Sequence, residues 1–296
     1  MRIGVALASM WTCCAFLSSE KPPRVALLGN SILYYNDLPR LLQRLHAREG
    51  KLRQDSCFRG GADLGTLFHR GNGMRRLFGR FRAGARSPEA LLRRRRRWDF
   101  VVLQDHTQAP AREASRAASL ASVVRDYAPL LERGRTTPVF CETYGYEKRG
   151  KGPWDLGDVD EFSRRLEAGY AAYADALAAA APDSPRPRVA PVAAAFLAVR
   201  DERPELWARL FQETDRYHPS SSGTLLVACV LHATLFGHPP SLDGVDDPAA
   251  LFSDARYLDP ERRPRPFPSA EEAKYLADVA GRVASSSPGR RGVALT

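Results

Sequence analysis

The chain has 296 residues, 44% hydrophobic, 26% charged and 9% aromatic, a balance that supports a sizeable folded core and excludes disorder over most of the length. Its formal net charge of +10 is carried mainly by arginine, densest from Arg70 through Arg75, Arg76, Arg80, Arg82 and Arg86 to the run Arg93–Arg97. Such a stretch reads first as a solvated surface, with attraction to a polyanion as the lesser option, so nucleic acid is disfavoured as a partner.

Met1-Arg2 precedes the apolar run Ile3–Leu17 and then Ser18-Ser19, the pattern of an export signal over residues 1–20. At about fifteen residues the run falls short of the roughly twenty that span a bilayer, so a secreted or extracytoplasmic protein is expected, with no integral membrane part beyond an uncleaved N-terminal anchor. A strand is expected over Arg24–Gly29, followed by a helix over Leu38–Arg48 with Leu38, Leu41, Leu42 and Leu45 on one face. Further strands are predicted over Leu52–Phe58, Asp99–Gln104, Pro138–Thr143 and Arg188–Val192. Helices are predicted over Ala114–Leu131, Asp158–Ala181, with the stripe Phe162, Leu166, Tyr170, Tyr173 and Leu177, and Pro204–Phe211. The run Thr224–Phe236 contains His232 and fits a buried helix rather than a membrane span. Gly145–Asp158 and Pro182–Pro187 read as loops, and residues 285–296 as a loose tail, leaving one domain over 21–284.

Strands alternating with helices predict a parallel sheet covered on its faces. Ligands in such sheets bind beyond the carboxyl ends of the strands, which directs attention to Ser31, Gly60-Gly61, Gln104–Gln108 and the loop Asp215–His218. A serine hydroxyl becomes a good nucleophile when a histidine accepts its proton and a carboxylate fixes that histidine's tautomer. Asp215 and His218 lie close enough on one loop to form such a pair, and Ser31 follows the first strand. Candidate donors to an oxyanion are the Ser31 N–H at a helix start, Gly61, and the side-chain amides of Gln104 and Gln108. Asp105 is an alternative carboxylate for His218, and His69 and His106 are candidates to line the pocket.

The segments Leu28–Pro39, Gly60-Gly61, Trp98–Gln104, Ala190–Val192 and His218–Gly223, in this order, resemble the SGNH (GDSL-like) hydrolase superfamily, and within it a mostly bacterial, exported subgroup. The resemblance covers nearly the whole chain after the export signal. It implies a three-layer α/β/α flavodoxin-like fold with a central parallel sheet of about five strands. It also implies a serine esterase acting on a small-molecule or carbohydrate ester, including O-acetyl groups, through Ser31, His218 and Asp215. The chain departs from the superfamily in its third block, where Leu103-Gln104-Asp105 stands in place of a segment with asparagine. That departure keeps a second reading in play: a catalytically silent module binding an anionic glycan or nucleic acid through the Arg70–Arg97 surface.

There is no Gly-x-Ser-x-Gly elbow, no phosphate-binding loop and no dinucleotide fingerprint, so no cofactor is expected. No group of histidines, acids or cysteines has a recognised metal-ligand spacing, so no metal is expected either. Cys13 and Cys14 fall in the export segment, and Cys57, Cys141 and Cys229 are expected as buried free thiols.

Overall fold

The computed structural model describes residues 21–74, 84–94, 97–131, 135–147, 155–252 and 266–286. The export segment, the end of the tail and much of the arginine-rich stretch, including Arg75, Arg76, Arg80, Arg82, Arg95 and Arg96, lie outside the described residues.

Five strands form one parallel sheet: β1 (Arg24–Gly29), β2 (Arg53–Phe58), β3 (Phe100–Leu103), β4 (Thr137–Cys141) and β5 (Arg188–Ala190), in the order β2-β1-β3-β4-β5. This is the flavodoxin-like order. Val25, Ala26, Leu27 and Leu28 are fully buried, because the sheet is covered by helices on both faces and its central strand meets solvent on neither.

The helices are α1 (Ser31–Tyr34), α2 (Leu38–His46), α3 (Leu64–Arg70), α4 (Pro88–Leu92), α5 (Glu113–Ser122), α6 (Val159–Ala180), α7 (Val192–Glu202), α8 (Pro204–Ala208), α9 (Ser221–Phe236) and α10 (Ala270–Ser286). The leucine stripe of α2 and the stripe Phe162, Leu166, Tyr170, Tyr173 and Leu177 of α6 are buried, as their spacing predicts. α9 is apolar around its whole circumference, and its residues Ser221 through Leu235 are all buried. That burial is possible because α2 and α7 pack beside it and α10 covers it.

Several boundaries differ from expectation. The helix predicted over Ala114–Leu131 ends at Ser122 and continues as a wide turn, Val123–Tyr127, and a tight one, Ala128–Leu130. Pro129 has no N–H to continue the ladder. Val192, predicted to end a strand, instead begins α7 directly after Pro191. α7, α10 and the short α3 and α4 are not among the predicted elements. Among the described residues no helix is long and apolar enough to cross a membrane.

Candidate active site

The sheet order reverses between β1 and β3, and the carboxyl ends of those two strands open the crevice where such sheets bind ligands. β1 ends at Gly29, where a β-carbon would lie 2.6 Å from Gln104 Oε1, so glycine is what lets the two strand ends close on each other. Asn30 follows in extended conformation and caps α1, its Oδ1 accepting from the Ile32 N–H at 3.2 Å. The Asn30 amide donates to the carbonyls of Ala62 and Asp105, each at 3.0 Å. Ser31 is therefore held between three segments: the end of β1, the turn after β2 and the end of β3. It is 9% exposed, shielded yet reachable from solvent.

His218 comes from the loop before α9. Its Nε2 lies 2.8 Å from Ser31 Oγ, and its Nδ1 lies 2.5 Å from Asp215 Oδ2. The other carboxylate oxygen of Asp215 accepts from the backbone N–H of Tyr217 at 3.0 Å and of His218 at 2.9 Å. Burial pushes the Asp215 carboxyl upward, but the His218 hydrogen bond and the two backbone N–H groups outweigh it and hold the carboxyl below its ordinary value. A carboxylate only accepts, so Nδ1 carries the proton and Nε2 presents its lone pair to the serine hydroxyl.

The loop folds this tightly because Arg216 adopts left-handed backbone, φ 59°. Its ends are fastened by the Gln212 N–H to the His218 carbonyl at 2.8 Å and the Ser220 N–H to the Leu210 carbonyl at 2.9 Å. Asn36, also left-handed at φ 53°, donates its amide to the Pro219 carbonyl at 3.2 Å and to Thr224 Oγ1 at 2.7 Å, tying the serine side to the histidine side. Tyr35 stacks on the His218 ring at 4.3 Å with 12° between planes, and Tyr217 packs nearby at 4.1 Å. The Tyr144 hydroxyl donates to the Tyr217 carbonyl at 2.9 Å. Tyr35 and Asn36 fall within the segment Leu28–Pro39 and Tyr217 beside His218, whereas Tyr144, 74 positions from His218, has no signal in the sequence.

The expected amide donors are placed otherwise. Gln104 is fully buried, its Oε1 accepting from the Asn30 N–H at 3.0 Å and its amide donating to the Asp105 carbonyl. Both ends are used beneath the serine turn, so Gln104 positions that turn instead of facing an oxyanion. Gln108 donates to the Tyr146 hydroxyl at 2.6 Å and accepts from Arg112 at 2.5 Å, which commits its amide to the surrounding wall. The Ser31 N–H is, by position, one of the donors a helix start leaves without an intrahelical partner. α1 is only four residues long, however, so the dipole expected of a longer helix contributes little. Gly61 sits at φ 65° in the turn Arg59–Ala62, next to the carbonyl that Asn30 holds, with open space where a side chain would be.

Asp105 is neither a partner of His218 nor a solvated turn residue. It is fully buried and accepts from the N–H of Leu64 at 2.9 Å, the N–H of His106 at 2.8 Å and the Tyr173 hydroxyl at 2.8 Å. Burial nevertheless raises its pKa to about 6. His69 is exposed and faces Asp126 at 3.9 Å and Arg125, so it belongs to the α3 surface and not to the pocket. His106 is half-buried, its pKa lowered by burial, and its Nδ1 accepts from the Gln108 N–H at 3.4 Å. Glu142, after β4, is buried and its carboxylate accepts from the Ala193 N–H at 3.4 Å, and burial pushes its pKa up to about 8. Cys57, Cys141 and Cys229 are buried and free, and burial raises their thiol pKa values, that of Cys57 to about 12. Of the arginine-rich stretch, Arg93 pairs with Glu89 and Arg94 with Asp55.

No protein-family model matches the chain, and no curated protein sequence matches it. Among solved structures it is similar to a DUF4886 family protein from Bacteroides uniformis, 16% identical, with a TM-score of 0.55 over 90% of this chain and 96% of that one. A gut microbial diltiazem-metabolizing enzyme matches at 15% identity and TM-score 0.40, over 71% of this chain and 46% of its own. Phospholipase A1 from Streptomyces albidoflavus matches at 14% identity and TM-score 0.34, over 69% and 95% respectively. The first of these shares the fold.

Proposed function

We propose that the protein is an exported serine hydrolase of the SGNH type that cleaves carboxylic esters, with O-acetylated carbohydrate as one substrate class, by acyl transfer through Ser31. The observation that carries the reading is the continuous line Asp215 Oδ2, His218 Nδ1, His218 Nε2, Ser31 Oγ, closed by contacts of 2.5 and 2.8 Å. As Ser31 Oγ attacks the ester carbonyl carbon, its proton passes to His218 Nε2, and Asp215 stabilises the imidazolium that forms. The carbonyl π electrons move onto oxygen, which meets the N–H groups of Ser31 and Gly61. Collapse of the tetrahedral intermediate breaks the bond to the alcohol oxygen, which leaves with the proton held on His218. Water, deprotonated by the same ring, then releases the acid and returns the proton to Ser31. The sequential resemblance and the position at the sheet's reversal point support the same reading.

Fluorophosphonate labelling tests it. Covalent attachment at Ser31, absent in Ser31→Ala and sharply slowed in His218→Ala, is expected, together with turnover of short-chain acyl esters. Absence of labelling in the folded protein, with salt-sensitive binding of a polyanion instead, would replace this reading with that of a binding module.

A further inference from the structure

Far from Ser31, three of the six histidines and one glutamate converge. His46 is the last residue of α2, Glu49 follows it in the turn beyond, His232 lies near the end of α9, and His238 comes just after the Gly237 that ends that helix. His46 Nδ1 lies 3.4 Å from His232 Nε2 and 3.3 Å from Glu49 Oε2. His232 Nε2 lies 3.3 Å from Glu49 Oε1, and His238 Nε2 lies 3.6 Å from Glu49 Oε2. His46, Glu49 and His232 each present one donor atom within a common radius suited to a metal ion.

We propose that His46, Glu49, His232 and His238 form a binding site for one divalent transition-metal ion of the zinc type, which fastens the end of α2 to the end of α9.

The first argument is geometric. Ligand atoms about 2.0–2.1 Å from zinc at the corners of a tetrahedron stand roughly 3.3–3.4 Å from one another. His46 Nδ1 and His232 Nε2 stand 3.4 Å apart, and Glu49 lies 3.3 Å from each, through Oε2 to His46 and Oε1 to His232, so a small turn of its carboxylate brings one oxygen to the third corner.

The second argument counts protons. His232 Nδ1 lies 3.1 Å from the His238 carbonyl oxygen, and His238 Nδ1 lies 3.1 Å from the Pro239 carbonyl oxygen. Carbonyl oxygens only accept, so both rings carry a proton on Nδ1, and in the neutral form each turns a lone pair on Nε2 inward. A metal-bound histidine is oriented in the same way, its second nitrogen donating to a backbone carbonyl. The inward lone pairs then face the two carboxylate oxygens of Glu49, acceptor against acceptor. With all three rings neutral, only His46 Nδ1 can supply a proton, and one proton cannot serve every contact. A cation serves them all.

The third argument concerns access and type. His46 and His232 are buried while Glu49 and His238 are partly exposed, so an ion can enter from solvent and lose most of its water on arrival. Imidazole-rich sets favour zinc and its neighbours over calcium or magnesium; His46, Glu49 and His232 supply three ligands, and the exposed His238, 3.6 Å from Glu49 Oε2, would swing in as the fourth and close the coordination, the pattern of a structural site. Along α9, His232 stands roughly 16 Å from the helix start that adjoins His218, so this site is independent of the serine chemistry. Linear spacing could not reveal it, because the ligands come from two helices 186 positions apart.

The experiment uses tag-free full-length protein, stripped with a chelator and titrated with Co²⁺ and then Zn²⁺. One equivalent of Co²⁺ should produce the intense visible bands of tetrahedral coordination, and one equivalent of Zn²⁺ should abolish them and raise the melting temperature. Glu49→Gln and His238→Gln, both at partly exposed positions whose replacement spares the core, should each weaken Zn²⁺ binding at least tenfold. His46→Gln should remove the cobalt bands, and if that variant does not fold, Glu49→Gln decides. Failure of the wild-type protein to bind Co²⁺ or Zn²⁺ at micromolar concentration, or undiminished affinity in Glu49→Gln, would overturn the proposal.

Discussion

Ser31 and His218 stand 187 positions apart in the chain, and their Oγ and Nε2 atoms are 2.8 Å apart in the fold. The contact does not rest on the two side chains alone. Asn36, five residues after the serine, bonds the Pro219 carbonyl next to the histidine, and Tyr35 lies flat against the imidazole. Both halves of the pair are thus fastened to each other by residues outside the Asp215–His218–Ser31 line.

If the two residues act as one unit, their losses overlap. Ser31→Ala and His218→Ala should each lower kcat by on the order of 10⁴-fold or more, and the double variant should be no worse than the poorer single one. Multiplicative losses in steady-state kinetics would show that the two act in separate steps.

The two glutamines should separate by stability. Gln104→Ala strands the buried Asn30 N–H and leaves the Asp105 carbonyl to the Asn30 amide alone, at a cost of about 1–3 kcal/mol, and lets the serine turn drift, so the denaturant midpoint and kcat should fall together. Gln108 is only partly buried, and Gln108→Ala should leave the midpoint close to that of the parent. Equal denaturation midpoints for the two variants would contradict these roles.

Left-handed backbone at Arg216 gives a third test. A non-glycine residue there costs roughly 1 kcal/mol, so Arg216→Gly should preserve kcat and leave stability equal or up to about 1 kcal/mol higher. Arg216→Val, whose branched side chain resists that conformation, should lower both by displacing Asp215 from His218. Chemical denaturation and ester turnover, measured side by side, check the pair.

Glu142 sets a pH dependence of stability. An unfolded glutamate titrates near 4.3, whereas in the fold burial raises this carboxyl to about 8. Between those values the folded state holds the extra proton, so stability falls as pH rises through the window and nothing is lost below it. Asp105, raised to about 6, contributes in the same sense over a lower window. Asp215 works oppositely, since its depressed carboxyl adds stability that is lost as pH falls toward its folded-state value. Glu142→Gln should therefore raise the melting temperature at pH 8.5 and leave it unchanged near pH 4. An unaltered slope of melting temperature against pH would show that Glu142 does not titrate this way.

Much of the architecture was legible because each central strand is a short apolar run and each helix carries a stripe. α6, with its five apolar residues at helical spacing, begins and ends within a residue of expectation. α10 gives no such signal, because its buried face is mostly alanine, which contrasts little with its polar side. At the site, Asp215 and His218 were readable because local spacing brings a carboxylate to an imidazole. The fate of Gln104 was not, since its two partners depend on how closely Gly29 lets β1 approach β3. The histidine and glutamate cluster stayed hidden for a related reason: tertiary packing, not sequence proximity, assembles it.

Two neighbouring segments hang on the Asn30 amide, so its loss would be felt at Ser31. Deamidation would exchange an amide that donates to two carbonyl oxygens for a carboxylate that repels both, directly beside Ser31. So slight a change in mass would leave an old sample looking intact on a gel while its turnover declined.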